Sequence, residues 1–477
     1  LQRMTSRCVT YIQSDVKNIV RNGDDIEKLI LEDGSEVVGD LYLDCTGWKQ
    51  LLGNDDNIDL TDRLFIDTAL AGRGRCFNFF HSVLRIDRSM GFVLENDLRK
   101  RKFSLASSSA FRDSLKPIYR RYLGRSSVMK AAVLYEPNEP LVIEEIKTKK
   151  PGPREVLLNT AFAGLCHSDL HFIEGLYPHP LPVVLGHESA GIVEQVGSEV
   201  SYVKPGDHVI TCLSVFCGTC EQCTSGRPVI CTNTDVKMLP GQSKRLEWGN
   251  SKQLHTFTNL SSFAEQMLVH ENAIVKIQEE MPLDRAALIG CGVITGFGAA
   301  VNTAGVRFGE TVAVIGCGGV GMAAINGAHV AGAGRIFAVD TNPTKLQLAT
   351  KLGATDLINP EDGDPVERIM ELTGGGVNHA IECLGLKKTA EQSFEMLNVG
   401  GTATIVGMVP FDEKIELHGF AFLRERRIQG SSMGSNRFRT DMPRLIDLYL
   451  QRRLHLDDWI SNKIKLEEIN EGFTAMK

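Results

Sequence analysis

Long apolar runs are scarce in this chain of 477 residues: none approaches the roughly 20 residues a helix needs to cross a bilayer, so no membrane-spanning segment is expected. No secretory leader stands out either, although the sequence opens at Leu1 and leaves room for a segment upstream. An excess of positive charge is also missing. Residues 1–128 carry 20 basic and 18 acidic side chains and the remainder 32 and 41, so +2 and −9 sum to the net −7. An acidic balance of that kind argues against nucleic acid and anionic membrane as partners. Internal repeats are absent. Cysteine is plentiful, 12 in all, yet its spacing is not that of a disulfide framework: six fall into two groups of soft ligands and six are scattered. That usage points to reduced thiols and a cytoplasmic location.

Three unlike stretches follow one another. Residues 1–71 alternate as strands do. Val9, Tyr11 and Ile19 lead to Asn22-Gly23-Asp24, the run Ile26 to Leu31 meets Glu32-Asp33-Gly34-Ser35, and Val37 to Leu43 ends at Asp44-Cys45-Thr46-Gly47-Trp48. Asn-Gly and Asp-Gly between such runs signal hairpins, because these residues tolerate the backbone of a tight turn. Residues 72–128 hold 13 basic and 4 acidic side chains, with Arg99-Lys100-Arg101-Lys102 and Ser107-Ser108-Ser109 among them. Lacking aromatics interleaved on one face, this stretch reads as a solvated basic linker rather than a nucleic-acid arm. At Met129 the composition changes, and Met129 to Leu134 reads as an initiator followed by an apolar strand. Short β runs broken by Gly and Pro fill about 129–295, and strand and helix patterns alternate over about 296–432 as in a doubly wound α/β domain. A helix from Met442 to Leu450 and a mixed tail over 457–477 close the chain.

The six grouped cysteines carry the chemistry. Cys217, Cys220, Cys223 and Cys231 stand at C-x2-C-x2-C-x7-C, and four thiols on so short a loop can all reach one tetrahedral ion, with zinc about 2.3 Å from each sulfur. A closed set of four thiolates is a structural site. The second group is dispersed: Cys166 in GLCHSDLH, His187 in GHES and Cys291 in GCGVITG. Three protein ligands without a fourth leave a coordination position open, as a catalytic zinc does. Asp169, three residues beyond Cys166, can take the other imidazole N–H of His187 and fix its tautomer. Glu188 adds charge behind the site, and Gly290 and Gly292 would let the Cys291 backbone approach the metal. Ser168 and His171 flank Cys166 and can hand a proton outward, and His167 reads as a contact for a cofactor pyrophosphate.

Downstream, Gly316-Cys317-Gly318-Gly319-Val320-Gly321 follows the β-branched run Thr311 to Ile315 and opens a stretch of helix formers, Met322 to Ala328. Asp340 ends the next strand, 19 residues after Gly321. At that spacing a carboxylate bonds the adenosine ribose hydroxyls and repels a 2′-phosphate, and Thr341-Asn342 offer no arginine in compensation, so NAD is favoured over NADP. One closed metal site, one open metal site and one dinucleotide turn together suggest a zinc-dependent oxidoreductase with two zinc ions per chain.

From Met129 to Lys477 the sequence resembles the zinc-containing medium-chain alcohol dehydrogenases, through GLCHSDLH, LGHESAGIVEQVG, KPGDHV, CGTCEQCTSGRPVIC, GCGVITGFGA, VIGCGGVG and VDTNPTK. The resemblance implies an α/β fold with a GroES-like, β-rich catalytic domain (129–295 and 433–477) interrupted by a doubly wound Rossmann coenzyme domain (296–432), whose sheet edge commonly pairs in a homodimer or homotetramer. It implies that Cys166, His187 and Cys291 bind catalytic zinc and that Ser168 and His171 relay the proton. It also places Glu188 behind the metal, Thr295 near the nicotinamide, and Asp340 and Lys345 on the adenosine ribose. The substrate would be a small alcohol or aldehyde.

Departures from that pattern are His167, where many members have an arginine, and a final strand that in relatives lies beyond Lys477, often with another pyrophosphate arginine. Weaker cofactor binding is therefore expected. Asp235 stands where glutathione-dependent formaldehyde dehydrogenases have arginine, which weighs against that alternative. Zinc-free relatives of the zeta-crystallin kind lack these ligands, and all seven are present here. Val38 to Trp48 and Asp62 to Leu70 resemble part of a flavin-dependent tryptophan halogenase, so residues 1–71 are expected to form an α+β flavoprotein-like fragment. The flavin glycine turn and the WxWxIP segment are absent, so no flavin chemistry is expected from it. A non-functional fusion of such a remnant with a truncated dehydrogenase is the remaining alternative.

Overall fold

The structure, a computed structural model, describes residues 128–243, 245–248 and 252–476, together with the backbone of seven strands before them. The chain divides into two compact units, Leu1–Arg125 and Ser126–Lys477. In the first, Arg3–Ser6 pairs antiparallel with Val9–Ile12, and Val16–Asn22, Asp25–Leu31 and Glu36–Val38 form a three-stranded antiparallel sheet in that order. Asn22 pairs with Asp25, which puts the Asn-Gly-Asp signal at the hairpin end. The second halogenase-like segment, Asp62 to Leu70, the end of the Val37 to Leu43 run and the Arg99–Lys102 cluster lie outside the described residues. Within the stretch expected to be only a linker, Val83–Asp87 pairs antiparallel with Gly91–Glu95. Charge had outweighed propensity there: VLRID and GFVLE are rich in β-branched, aromatic and other apolar residues, and strands follow that content.

Among its described residues the second unit holds three sheets. Gln266–His270, Glu155–Ala163, Ser189–Val196, His208–Thr211 and Ile274–Lys276 form an antiparallel sheet in that spatial order. A second sheet runs Lys252–Gln253, Leu246–Trp248, Val142–Thr148, Val128–Leu134, Val183–Val184, His255–Thr256. The third is parallel throughout: Asp356–Ile358, Arg335–Val339, Thr311–Ile315, Val377–Glu382, Leu397–Ile405, Arg427–Gly430. Its first strand in sequence, Thr311–Ile315, lies in the interior, and the chain winds outward both ways, the 3-2-1-4-5-6 order of dinucleotide-binding folds. Strands of such a sheet are buried on both faces and therefore read as continuous apolar runs. Val312 and Val314 pack on one side against Ala324, Ile325 and Ala328, while Ala313 and Ile315 pack on the other against Ile369 and Phe394. The helices between strands start where local chemistry satisfies their free amides: Asn342 accepts from Thr344 and Lys345 ahead of Pro343–Lys351, and Asp364 accepts from Val366 and Glu367 ahead of Pro365–Thr373.

A helical rod, Leu283–Ala304, joins the antiparallel and parallel sheets. Its 22 residues are long and apolar enough by composition to cross a bilayer, although Gly, Thr and Asn interrupt it so that it is no unbroken apolar run. Its burial is that of a core helix: Ala286, Ile289, Val293 and Ile294 pack with Ile210 and Val275 of the antiparallel sheet and with Phe438, Met442 and Ile446. Those last residues sit on the helix Phe438–Leu450, which starts before the expected Met442. The chain thus returns from the parallel sheet to the antiparallel one, and the tail ends in the helix Ile469–Met476, whose Ile469 and Phe473 pack with Leu134, Leu170 and Phe263.

Candidate active site and metal centres

In the four-cysteine loop all four sulfurs lie within 4.8 Å of one another. Cys217 and Cys223 are 3.9 Å apart at sulfur, and Cys220 and Cys231 are 3.8 Å apart. An ion held tetrahedrally at about 2.3 Å from each sulfur requires edges of about 3.8 Å, so the donor set fits zinc. The loop directs its own donors at the sulfurs: the amides of Thr219 and Cys220 reach Cys217 Sγ at 3.3 and 3.2 Å, and the Cys217 amide reaches Cys231 Sγ at 3.4 Å. Backbone amides of Thr232 and Cys223 bring Cys220 down to about 6, whereas burial takes Cys223 up to about 12. Gly218 turns with φ +81°, which lets the loop double back so tightly.

The dispersed triad also converges: the ligand atoms of Cys166, His187 and Cys291 lie within 4.8 Å of one another. Each comes from a different element. Cys166 is the residue before the helix His167–Ile173, His187 follows a turn at Gly186 (φ +92°), and Cys291 lies in a π-helical stretch of the rod, Ile289–Val293. A side chain at Gly186 would place its Cβ 2.6 Å from the Phe263 amide, so only glycine brings His187 inward there. Asp169 is fully buried and its Oδ1 accepts from both His187 Nδ1 and the Gly186 amide, each at 3.0 Å. This leaves Nε2 to face the cysteines, as the sequence suggested. Glu188 Oε2 accepts the Gly292 amide at 2.8 Å and so ties the histidine loop to the rod. Of the two glycines beside Cys291, Gly290 is closely packed, since an added Cβ would meet Thr211 O at 3.0 Å, whereas one at Gly292 would make only ordinary contact with Glu188 Oε2 at 3.5 Å.

Buried acidic groups surround this triad. Its neighbour Cys291 holds the Cys166 thiol well below its ordinary range, and Cys166 in turn pushes Cys291 up, so the pair keeps one charge. Burial, then Cys166, pushes Glu188 up to about 8. Burial opposes charge on His187, but Asp169 and Cys166 outweigh it and raise the imidazole. Asp169 Oδ2 is buried without a hydrogen-bond partner. A cation among these groups would let both thiols ionise and balance charge that is costly to bury alone. The site therefore fits a divalent metal with soft ligands.

Of the other predicted residues, Ser168 and His171 lie on the same short helix, half-buried, and His171 stacks on Tyr177 at 6.1 Å between ring centres. His167 is exposed. Thr295 is buried one turn beyond Cys291. The glycine turn stands at the end of the strand Thr311–Ile315. Gly316 has φ +91°, and a Cβ on Gly321 would lie 1.7 Å from Gly316 O, so both must be glycine. At Gly318 and Gly319 an added Cβ would meet open space, which leaves a cradle free over the start of the helix Gly319–Val330 and next to Val320. Helix N-termini with free amides of this kind receive phosphates. Asp340 closes the turn: its Oδ2 accepts the Cys317 amide at 2.7 Å and its Oδ1 the Asn342 amide at 2.8 Å. Lys345 is exposed on the following helix.

The sequence reading missed Met433. Its Sδ lies 3.9 Å from Cys291 Sγ and accepts from Thr295 Oγ1 at 3.3 Å. The signal available was Ser-Met-Gly-Ser after a strand, a turn with no motif attached. Beside that turn, at the carboxyl ends of Leu397–Ile405 and Arg427–Gly430, opens a cavity of about 540 Å³ lined by Val229, Ile230, Val406, Ser431, Ser432 and Ser435 among others. Crevices at this end of an open parallel sheet are where ligands bind. Val229 and Ile230 belong to the four-cysteine loop, so that loop shapes the cavity wall.

Comparison with known proteins fits this architecture. Residues 152–279 match the family described as "Alcohol dehydrogenase GroES-like domain" and residues 319–451 that described as "Zinc-binding dehydrogenase". Alcohol dehydrogenase 2 of Oryza sativa subsp. japonica is 38% identical over 361 residues, which cover 74% of this chain and 95% of the rice protein. This chain belongs to the zinc-binding alcohol dehydrogenases. Among solved structures of these dehydrogenases, an alcohol dehydrogenase zinc-binding domain protein from Burkholderia ambifaria superposes with a TM-score of 0.70 at 37% identity, covering 73% of this chain and 95% of its own. Benzyl alcohol dehydrogenase from Acinetobacter calcoaceticus gives 0.69 at 32%, covering 73% and 96%. A zinc-binding dehydrogenase from Sinorhizobium meliloti 1021, bound to NADP, gives 0.61 at 32%, covering 72% and 95%. In front of the dehydrogenase part, residues 1–82 match the tryptophan halogenase family.

Proposed function

We propose that this chain interconverts an alcohol and its aldehyde or ketone with NAD, at the Cys166–His187–Cys291 triad. The observation that carries this is the convergence of those three ligands, with Asp169 behind His187, in the unit that also holds the glycine turn. Zinc held by the triad would polarise the alcohol and lower its pKa, and NAD on the glycine turn would take up the hydride. Ser168 Oγ receives the hydroxyl proton and His171 carries it to solvent. His171 suits that task because burial, then the neighbouring His167, holds its pKa below 6.5, so the ring is a neutral acceptor at pH 7. Thr295 lines the nicotinamide end, while His167, Gly318, Gly319 and Val320 take the pyrophosphate and Asp340 and Lys345 the adenosine ribose. A second zinc in the four-cysteine loop holds that loop against the cavity. The unpaired cysteines of the described residues support a reducing, cytoplasmic setting. We also read a homodimer or homotetramer, supported by Arg427–Gly430, which pairs on one side only among the described residues, with Phe420, Phe422 and Leu423 exposed nearby.

NAD over NADP rests on Asp340, whose carboxylate is pinned beside the turn by two amides. The test compares kcat/KM for the two cofactors in the parent and in Asp340→Ser. Higher efficiency with NAD, narrowed in the variant, supports the assignment. Higher efficiency with NADP, the ligand of the Sinorhizobium structure, would overturn it.

A further inference from the structure

Met433, Gly434 and Ser435 have φ of +48°, +67° and +49°, three successive left-handed residues, two of them with side chains. L-residues avoid that region, and such a turn persists only when its surroundings hold it. Here they do. Thr303 Oγ1 bonds Ser431 Oγ and Ser435 Oγ, both at 2.8 Å. Asn302 Nδ2 donates to Gly434 O at 3.2 Å, and Asn436 Nδ2 to Met433 O at 2.8 Å and Ser214 Oγ at 3.1 Å. Gly434 is wedged against the rod, where an added Cβ would lie 2.4 Å from Ile294 O and 2.6 Å from Thr295 O. The turn therefore cannot draw back from the rod segment that carries Cys291 and Thr295. Its Met433 thioether touches both, while its Ser431, Ser432 and Ser435 line the 540 Å³ cavity.

We propose that Met433 is a specificity-determining residue: a fixed wall at the metal triad that limits bulk on the carbinol carbon and so selects primary over secondary alcohols. This rests on the dehydrogenase reading above. The wall works by volume. A thioether that fills the space beside Cys291 Sγ and Thr295 Oγ1 leaves room for hydrogen on the reacting carbon but crowds a second carbon substituent.

The experiment uses the full chain and a matched pair, benzyl alcohol and 1-phenylethanol, with Met433→Ala and Met433→Leu. Alanine keeps a side chain at the strained φ and removes the bulk, and leucine keeps the bulk without the sulfur. The ratio of kcat/KM for secondary over primary alcohol should rise about tenfold or more in Met433→Ala, the scale on which pockets discriminate a methylene-sized group, and stay near the parent value in Met433→Leu. The dissociation constants of the two alcohols for the zinc-loaded protein without dinucleotide, measured by calorimetry, should shift in the same direction. An unchanged ratio in Met433→Ala, or an equal shift in Met433→Leu, would overturn the wall. If neither alcohol were turned over by the parent chain, the dehydrogenase reading would fall, and the binding ratio would still decide the wall. If Met433→Ala proved unstable by its thermal midpoint, Met433→Asn, a residue that tolerates positive φ, opens a smaller space and the same ratio reads it.

Discussion

All four sulfurs of the closed cluster fall between Cys217 and Cys231, and the amides that reach them come from the same loop. The open cluster gathers Cys166 from before a helix, His187 from a turn and Cys291 from a π-helical stretch 125 positions beyond Cys166. Around the closed cluster lie exposed polar residues such as Thr219 and Glu221; around the open one lie Asp169 and Glu188, both buried. The contrast separates two uses of the same ligand chemistry. A local set can be assembled by its loop and an ion alone, so binding contributes to folding. A dispersed set exists only after sheet, helix and rod are in place, so the fold determines its geometry and its electrostatics.

The largest effect that would sharpen the contrast is on stability. Cys223→Ser removes one of four local ligands and should lower the thermal midpoint sharply or abolish soluble protein, since structural zinc sites supply on the order of 10 kcal/mol. Cys291→Ser should leave the midpoint within a few degrees while abolishing turnover. Equal losses in thermal scans of the two variants would break the distinction.

A smaller effect concerns the proton path proposed at the open cluster. Because the folded pKa of His171 lies below 6.5, the unfolded chain binds protons first on acidification. This residue's contribution to stability therefore declines as pH falls from about 6.5 towards the folded value, and it is level above and below that window. Turnover should hold through neutral pH and fall only in acid below 6.5. His171→Gln should remove that acid limb and slow turnover by about a hundredfold. A pH profile of kcat/KM that keeps its acid limb in the variant would rule His171 out.

Legibility in the sequence largely followed sequence distance, the dispersed triad Cys166, His187 and Cys291 being read instead through the motifs around each residue. Four cysteines within one loop, a glycine turn with its acid on the next strand, and Asp169 three residues after Cys166 are all short-range patterns, and the structure brings each set together. The parallel sheet was legible because strands buried on both faces read as apolar runs. Met433 was not, being 142 positions from the Cys291 sulfur it touches. Nor was the close packing at Gly290, which depends on where Thr211 arrives. The rod at 283–304 escaped because a core helix can contain Gly, Thr and Asn at positions its neighbours tolerate. The hairpin at 83–95 was obscured by the basic residues around it.

That two independent ligand sets in one chain each hold a zinc ion, as proposed, is tested most directly by metal content. Elemental analysis of the purified full chain and of Cys291→Ser should find two zinc ions per chain in the parent and one in the variant, with the fold retained. One ion or none in the parent, or loss of both ions together in Cys291→Ser, would contradict it.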